Sequence, residues 1–243
     1  VSPDRTLAIT GRIVRQMLRD HRSLALIIIA PIIVMSLVGL TFYDQKDTLD
    51  RVAPALLGVF ALFFTFVLTG VSFLRERAQG TLERLLTTPV GRGDLLVGYL
   101  LGFLLFTTAQ ALVILLFTIL VLRVNYRGDL WQIFLLLMML TVVAVNLGIF
   151  ISTFARNEFQ VVQFIPLVLA PQVFLSGVFV RVEEMPGYLE AIARALPLTY
   201  AVRGLQDIML RGQGLGDVTL ELAVLGAFAL ALLALAGITV RRS

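Results

Sequence analysis

The chain has no cysteine, one histidine (His21) and one lysine (Lys46). Without cysteine there is no disulfide and no thiolate metal site, and the redox compartment leaves no mark. A single histidine excludes a histidine-built metal cluster. The lone lysine excludes more. A GxxxxGK[ST] phosphate-binding loop needs a lysine after its glycines, and Lys46 follows no such run, so these 243 residues hold no P-loop. Charge is scarce altogether. Asp, Glu, Lys and Arg make up 15% of the chain and hydrophobic residues 58%, with a mean hydropathy of +0.93. Soluble domains carry about 25% charge, so this is the composition of a membrane protein.

The long apolar runs supply the fold class. Residues 24–43, 52–74, 95–122, 130–155, 161–180 and 222–240 carry no Asp, Glu, Lys, Arg or His. A helix of about 20 residues, rising about 1.5 Å each, crosses a hydrocarbon core of about 30 Å. Continuous apolarity without alternation indicates helices rather than barrel strands. The expected fold is therefore an all-α membrane protein with six transmembrane helices, forming one domain over 1–243.

Ahead of the first run, Arg12, Arg15, Arg19 and Arg22 line one side of residues 1–23, and Ile13, Val14, Met17 and Leu18 the other. That pattern predicts an amphipathic helix lying in the headgroup plane, not a cleavable signal peptide. The N-terminal segment, 75–94, 156–160 and 241–243 together hold 12 Arg or Lys, against 8 in the alternate connections. The positive-inside rule then places both termini in the cytoplasm, at the plasma membrane (the inner membrane in a bacterium).

Segment 75–94 is the polar interruption of the first half. Gly80 breaks one helix, Thr81 is placed to cap the next, and Glu83 sits in its first turn. Leu82, Leu85 and Leu86 share one face, with Arg84 turned away, and Pro89 ends the element. The text RERAQGTLERLLTTPV followed by GRGDLLVGYLLG resembles the first cytoplasmic loop of type-2 ATP-binding-cassette permeases. The resemblance implies a short cytoplasmic coupling helix that seats on a separate ATPase subunit, which would bind ATP and Mg. On that basis Glu76, Gly80, Thr81, Leu82, Glu83, Arg84, Leu85, Leu86 and Pro89 are the ATPase-coupling residues.

A second polar stretch precedes the last run. Met185, Leu189, Ile192 and Leu196 repeat at helical spacing, and Glu190 and Arg194 form an i,i+4 pair. Val202, Leu205, Ile208 and Met209 form a second apolar face opposite Arg203, Asp207 and Arg211. FLSGVFVRVEEMPGYLEAIARALPLTYAVRGLQ is similar to the same family, which places an extracellular re-entrant helical hairpin here. Family members often have proline where this chain has Arg181. The outer cap is thus expected over 181–217, with Glu183, Glu184, Pro186 and Arg203 on it.

Within the runs, every polar residue is neutral. Thr65, Thr69, Thr107, Thr108, Gln110, Thr141, Asn146, Gln163, Gln172 and Ser176 either bond between helices or give a lightly polar wall to an amphipathic cargo. Asn146 and Gln172, with Thr65, Thr69 and Phe174, are the candidate substrate path. Pro166 and Pro171 are expected to bend the fifth span beside Gln172. Gly98 and Gly102 allow close helix approach, and Gly58 and Gly70 are further small packing positions.

No catalytic, cofactor or metal site is expected, nor a nucleic-acid partner. The expected role is the permease of an ATP-driven exporter, moving a drug, lipid or lipid-linked glycan outward by alternating access. Its partners would be the ATPase, a second permease chain (identical or similar) and the bilayer. The alternative is a membrane scaffold or sensor subunit that docks a cytoplasmic partner without transport.

Overall fold

A computed structural model describes residues 2–79, 91–155 and 157–239, and among these it is helical, with no strand. The first two helices are α1 (Pro3–Arg19) and α2 (His21–Thr41). Next come α3 (Lys46–Ala78) and α4 (Arg92–Leu116), which continues as a π-helical segment, Phe117–Val121. Then follow α5 (Leu130–Ser152), α6 (Glu158–Leu175), α7 (Gly187–Arg194), α8 (Pro197–Arg211) and α9 (Thr219–Thr239).

Five of these are long and apolar enough to cross a membrane: Lys46–Ala78, Gly93–Val121, Leu130–Ser152, Glu158–Leu175 and Thr219–Thr239. They correspond to five of the six expected runs. For the first run, the apolar stretch is the shorter Ile27–Thr41 inside α2.

The helix ends differ from the runs in a consistent way. α3 starts six residues before 52 and ends four after 74, while α4, α6 and α9 each start three residues earlier than expected. A charge ends an apolar run, but it does not end a helix, because the backbone bonds continue to the capping residue. At the other end, 161–180 overshoots. α6 stops at Leu175, and Gly177 takes φ 86°, a left-handed conformation that only glycine adopts freely. Pro166 and Pro171 sit within a continuous α6 and do not break it.

The bundle is built around α3 and α5, which approach closely at Gly70 and Gly148. A Cβ on Gly148 would stand 3.0 Å from the Thr69 Cβ and 3.1 Å from the Phe66 carbonyl oxygen. α8 is no loose cap. It buries Leu198, Val202, Leu205, Ile208 and Met209 in the main core, with Gly58 of α3 facing Leu198, Val202 and Leu205. Gly98 and Gly102 likewise act within the chain, since Ile9 and Ile13 of α1 lie where their Cβ atoms would be, at 2.7 and 2.8 Å. All four glycines are used for packing inside this chain.

The connection before α5 is equally tight. A Cβ on Gly128 would meet both the carbonyl oxygen and the Cγ2 of Ile208 at 2.6 Å. Arg127 N–H donates to the Met209 carbonyl at 2.9 Å, so neither strand of backbone is free to retreat. Gly128→Val is therefore expected to cost about 1–3 kcal/mol through overpacking, read as a lowered unfolding temperature in detergent. Gly214→Val, where nothing lies within 4 Å, is the matched control and should leave it unchanged.

Candidate functional site

The chain's polar contacts gather at the two ends of α3, which at 33 residues is about 50 Å long. At its C-terminal end, Glu76 is 2% exposed. It pairs with the Arg12 guanidinium of α1 and accepts a hydrogen bond of 2.8 Å from the Tyr99 hydroxyl of α4. Arg12 also donates to the Tyr99 hydroxyl at 3.0 Å. Three helices thus meet on one buried carboxylate. Tyr99 is fully buried, edge-on to Phe73 at 5.1 Å.

Around this triad the same end is pinned by further bonds. The Ser2 N–H donates to Asp94 Oδ1 at 2.6 Å, and the Gly91 N–H to Asp94 Oδ2 at 3.0 Å, which secures the start of α4. Arg75 pairs with Glu158 at 2.7 Å, at the start of α6, and Asp20 lies 3.6 Å away. Arg77 donates to the Ser152 carbonyl at 2.8 Å, at the end of α5. Asn157 caps α6 by accepting from the Gln160 N–H. Gly237 of α9 lies beside Leu96, so the last helix ends here too.

Of the expected coupling residues, Gly80, Thr81, Leu82, Glu83, Arg84, Leu85, Leu86 and Pro89 lie outside the described residues. Glu76 is the one expected coupling residue that is described. It faces inward and fastens α1 and α4 to α3. Sequence reasoning treated Arg12 as part of a headgroup-facing stripe and overlooked Tyr99. Partners 64 and 87 positions from Arg12 leave no local pattern. The observed inner face of α1 is Thr6, Ile9, Ile13 and Met17, while Leu18 is 52% exposed.

At the opposite end, Lys46 donates to the carbonyls of Leu122 (3.0 Å) and Arg123 (2.6 Å), just past the π segment. Asp50 holds both the backbone N–H (3.0 Å) and the side-chain amide (2.7 Å) of Asn125. Beyond them lies a cavity of about 440 Å³, lined by Glu183, Arg181, Arg194, Arg203, Asp207 and Arg211 among others. Each of these arginines has a nearby acid: Arg181 with Glu184 (3.9 Å), Arg203 with Glu221 (3.5 Å), Arg194 with Glu190, and Arg211 with Asp207. The expected Glu190–Arg194 pair is present. Glu183, Glu184 and Pro186 are exposed around the short 3-10 turn and the start of α7.

The expected path residues fall on separate surfaces. Asn146 donates to the Ala229 carbonyl of α9 at 3.0 Å. Gln172 accepts from the Leu198 N–H at the start of α8. Thr69 packs on Gly148, and Thr65 is buried in the same helix. Phe174 is 62% exposed and stacks on Phe179, their ring centres 5.4 Å apart. Buried carboxylates also exist where none was expected. Glu76, Asp94 and Glu221 lie inside helix ends and are 2%, 3% and 3% exposed.

Residues 4–210 match the model of the ABC-2 type transporter family. The chain belongs to that family. Among its relatives, it is 30% identical to ABC transporter G family member 20 of Dictyostelium discoideum over 72% of this chain and 24% of the relative. It is 31% identical to the probable multidrug ABC transporter permease YbhS of Escherichia coli, over 60% of this chain and 39% of the relative. To the linearmycin resistance permease protein LnrN of Bacillus subtilis it is 28% identical, over 76% and 48%. The chain thus spans between about a quarter and a half of the length of these relatives. As a member of the ABC-2 type transporter family with five spanning-length helices, it is a multi-pass integral membrane protein.

Proposed function

We propose that the chain is the transmembrane permease part of an ATP-driven exporter, moving a hydrophobic or amphipathic compound outward while a separate subunit hydrolyses ATP. The observation that carries this is the fastening around Glu76. The helices bracketing residues 80–90 are clamped to each other and to α1, α5 and α6 by Arg12, Tyr99, Arg75, Arg77 and Asp94. A force applied to a loop held this way moves the bundle as a body instead of bending one helix. That is what coupling to a motor subunit requires.

In this reading α2 completes a sixth span. The end carrying Glu76 faces the cytoplasm with both termini, and the cavity beside Arg203 lies outside. Two permease chains and two ATPase chains form the working unit, since six spans make a small bundle with little room for a cavity. Multidrug and resistance names among the relatives support a drug-like or amphipathic cargo.

The test is co-expression with a P-loop ATPase encoded beside the chain, followed by native mass spectrometry and ATP-dependent dye uptake into inverted vesicles. The expected result is a complex with two permease chains and uptake that stops when the ATPase is inactivated. A lone permease bound to active ATPase would contradict the assembly, and a stable complex without uptake would favour the scaffold reading. In the same strain, a reporter fused after Ser243 should be active only on the cytoplasmic side.

A further inference from the structure

Gln110 of α4 is 1% exposed, and neither its amide nitrogen nor its amide oxygen has a hydrogen-bond partner among the described residues. An unpaired amide is costly inside a protein, and more so at a depth where bulk water is absent. Arg12 Nε, Asn146 Oδ1 and the Thr65 and Thr69 hydroxyls also lack a partner, but each of these side chains bonds through another atom or can turn to its own helix. Thr107, Thr118 and Thr141 turn their hydroxyls back to carbonyls of their own helices, an outlet a threonine such as Thr65 or Thr69 reaches by rotation. Asn146 already donates to Ala229. Among the described residues only Gln110 presents a free donor and a free acceptor side by side, and it needs a partner that offers both.

It lines a groove of about 300 Å³ that runs along α3 from Arg75 and Ser72 to Val67, Phe64 and Phe63, with Ile27 and Ala30 of α2 also lining it. That volume is at the small end of known ligand pockets, about 300–1,000 Å³. The Tyr99–Glu76 bond fixes the antiparallel register of α3 and α4, which sets Gln110 level with the Phe63–Val67 stretch. This is about 16 Å deeper than Glu76 along the helix axis. A lipid headgroup stays near the level of Glu76, and an acyl chain has nothing to offer an amide. Arg75 lines the groove only at the Glu76 level, where it is already paired with Glu158, and charge is unsuited to the phenylalanine and valine wall at the depth of Gln110.

We propose that this groove binds a neutral apolar small molecule carrying an adjacent N–H and C=O, as in a lactam or carboxamide. It enters from the bilayer between α2 and α3, and Gln110 pairs with it through both ends of its amide. The inference rests on the permease reading in naming a cargo class, but the site stands on its own geometry.

The test uses 2-quinolinone, a neutral fluorescent lactam, and its N-methyl derivative, which lacks the donor. The full chain, carrying Trp131→Phe and Phe64→Trp, is placed in phosphatidylcholine nanodiscs without ATP or ATPase. Energy transfer from the introduced tryptophan should saturate with 2-quinolinone. Gln110→Leu should weaken that binding about tenfold, and N-methylation of the ligand should do the same only while Gln110 is present. Ala30→Leu, which narrows the groove, should weaken it too. Equilibrium dialysis of the unsubstituted chain guards against damage by the reporter.

Non-saturable partition, identical with and without Gln110→Leu, would overturn the proposal. So would quenching of the reporter by phosphatidylcholine brominated on its acyl chains that 2-quinolinone does not relieve, since a lipid would then fill the groove. Because no transport is measured, loss of binding removes this site and leaves the permease reading standing. Failed export with intact binding does the reverse.

Discussion

Glu76→Ala should loosen three helices at once. The substitution leaves the Arg12 guanidinium without its carboxylate and the buried Tyr99 hydroxyl without its acceptor. Stranding one partner of a buried ion pair costs about 3–5 kcal/mol. The Arg12 side chain is 30% exposed and can turn to headgroups or water, so a loss near about 2–3 kcal/mol is expected. For a chain of this length each kcal/mol lowers the unfolding temperature by about 2–4 °C, so differential scanning fluorimetry in detergent should show a drop of several degrees. Glu76→Gln keeps the acceptor for Tyr99 and should lose less. Arg12→Met combined with Glu76→Met removes both charges and should recover much of the loss, because a buried pair replaced by apolar groups is often neutral. If the double variant is as unstable as the sum of the singles, the two side chains do not act as a pair. Protection of α1 from protease should fall in Glu76→Ala, since α1 then loses its buried ion pair to α3 and keeps its contacts with α4 through Ile9, Ile13, Thr10 and Ser2.

The second large effect falls on residues 80–90. Leu82→Ser and Leu86→Ser with Glu83→Arg should leave insertion normal and abolish export. At helical spacing Leu82, Leu85 and Leu86 would share one apolar face, and burying a leucine contributes about 1.5–3 kcal/mol. Two serines remove most of that from a docking contact, and the reversed charge at position 83 opposes whatever rim matched the carboxylate. Insertion, ATPase association and export are measured separately, by membrane fractionation, co-purification and vesicle uptake. Wild-type association and export together would end the coupling role for this loop. Glu76→Ala makes a useful comparison. It is expected to keep the loop's own face and so to retain association, while weakening export through a softer mount.

How much of this was legible in the sequence depends on what kind of signal each part leaves. Five spanning-length helices follow from unbroken apolar runs, and the α7 and α8 helices and the Glu190–Arg194 pair from periodicity within one segment; each is present. The apolar face of α8 was read correctly, but its depth was not. Nothing local in Val202, Leu205, Ile208 and Met209 says that Gly58 of α3 makes room for them. The inner face of α1 was misjudged for the same reason. Its rotation is set by Gly98 and Gly102, whose missing side chains admit Ile9 and Ile13 in preference to Val14 and Leu18.

The acids were lost to the method of reading. Ending each span at its first charge excludes the helix turns that carry Glu76, Asp94, Glu158 and Glu221, and those turns hold several of the long-range bonds. Gln110 was noticed only as one neutral residue among ten. What distinguishes it is a missing partner, and that exists only in three dimensions.

The fastening of α3 at both ends has a mechanical consequence. Near Glu76 its neighbour is Tyr99 of α4. Near Lys46 its neighbours are Leu122, Arg123 and Asn125, just past the same helix and its π extension. Two rods riveted together at top and bottom form a closed frame, which resists twist and shear and changes length very little. A push delivered at one face of such a frame arrives at the other about 50 Å away as displacement, with little stored as elastic strain. Whatever pivot the molecule uses must then lie outside the frame. The lighter burial of α6, which buries only Val161, Leu169 and Gln172 before the chain turns at Gly177, makes that side of the bundle the place where it can turn.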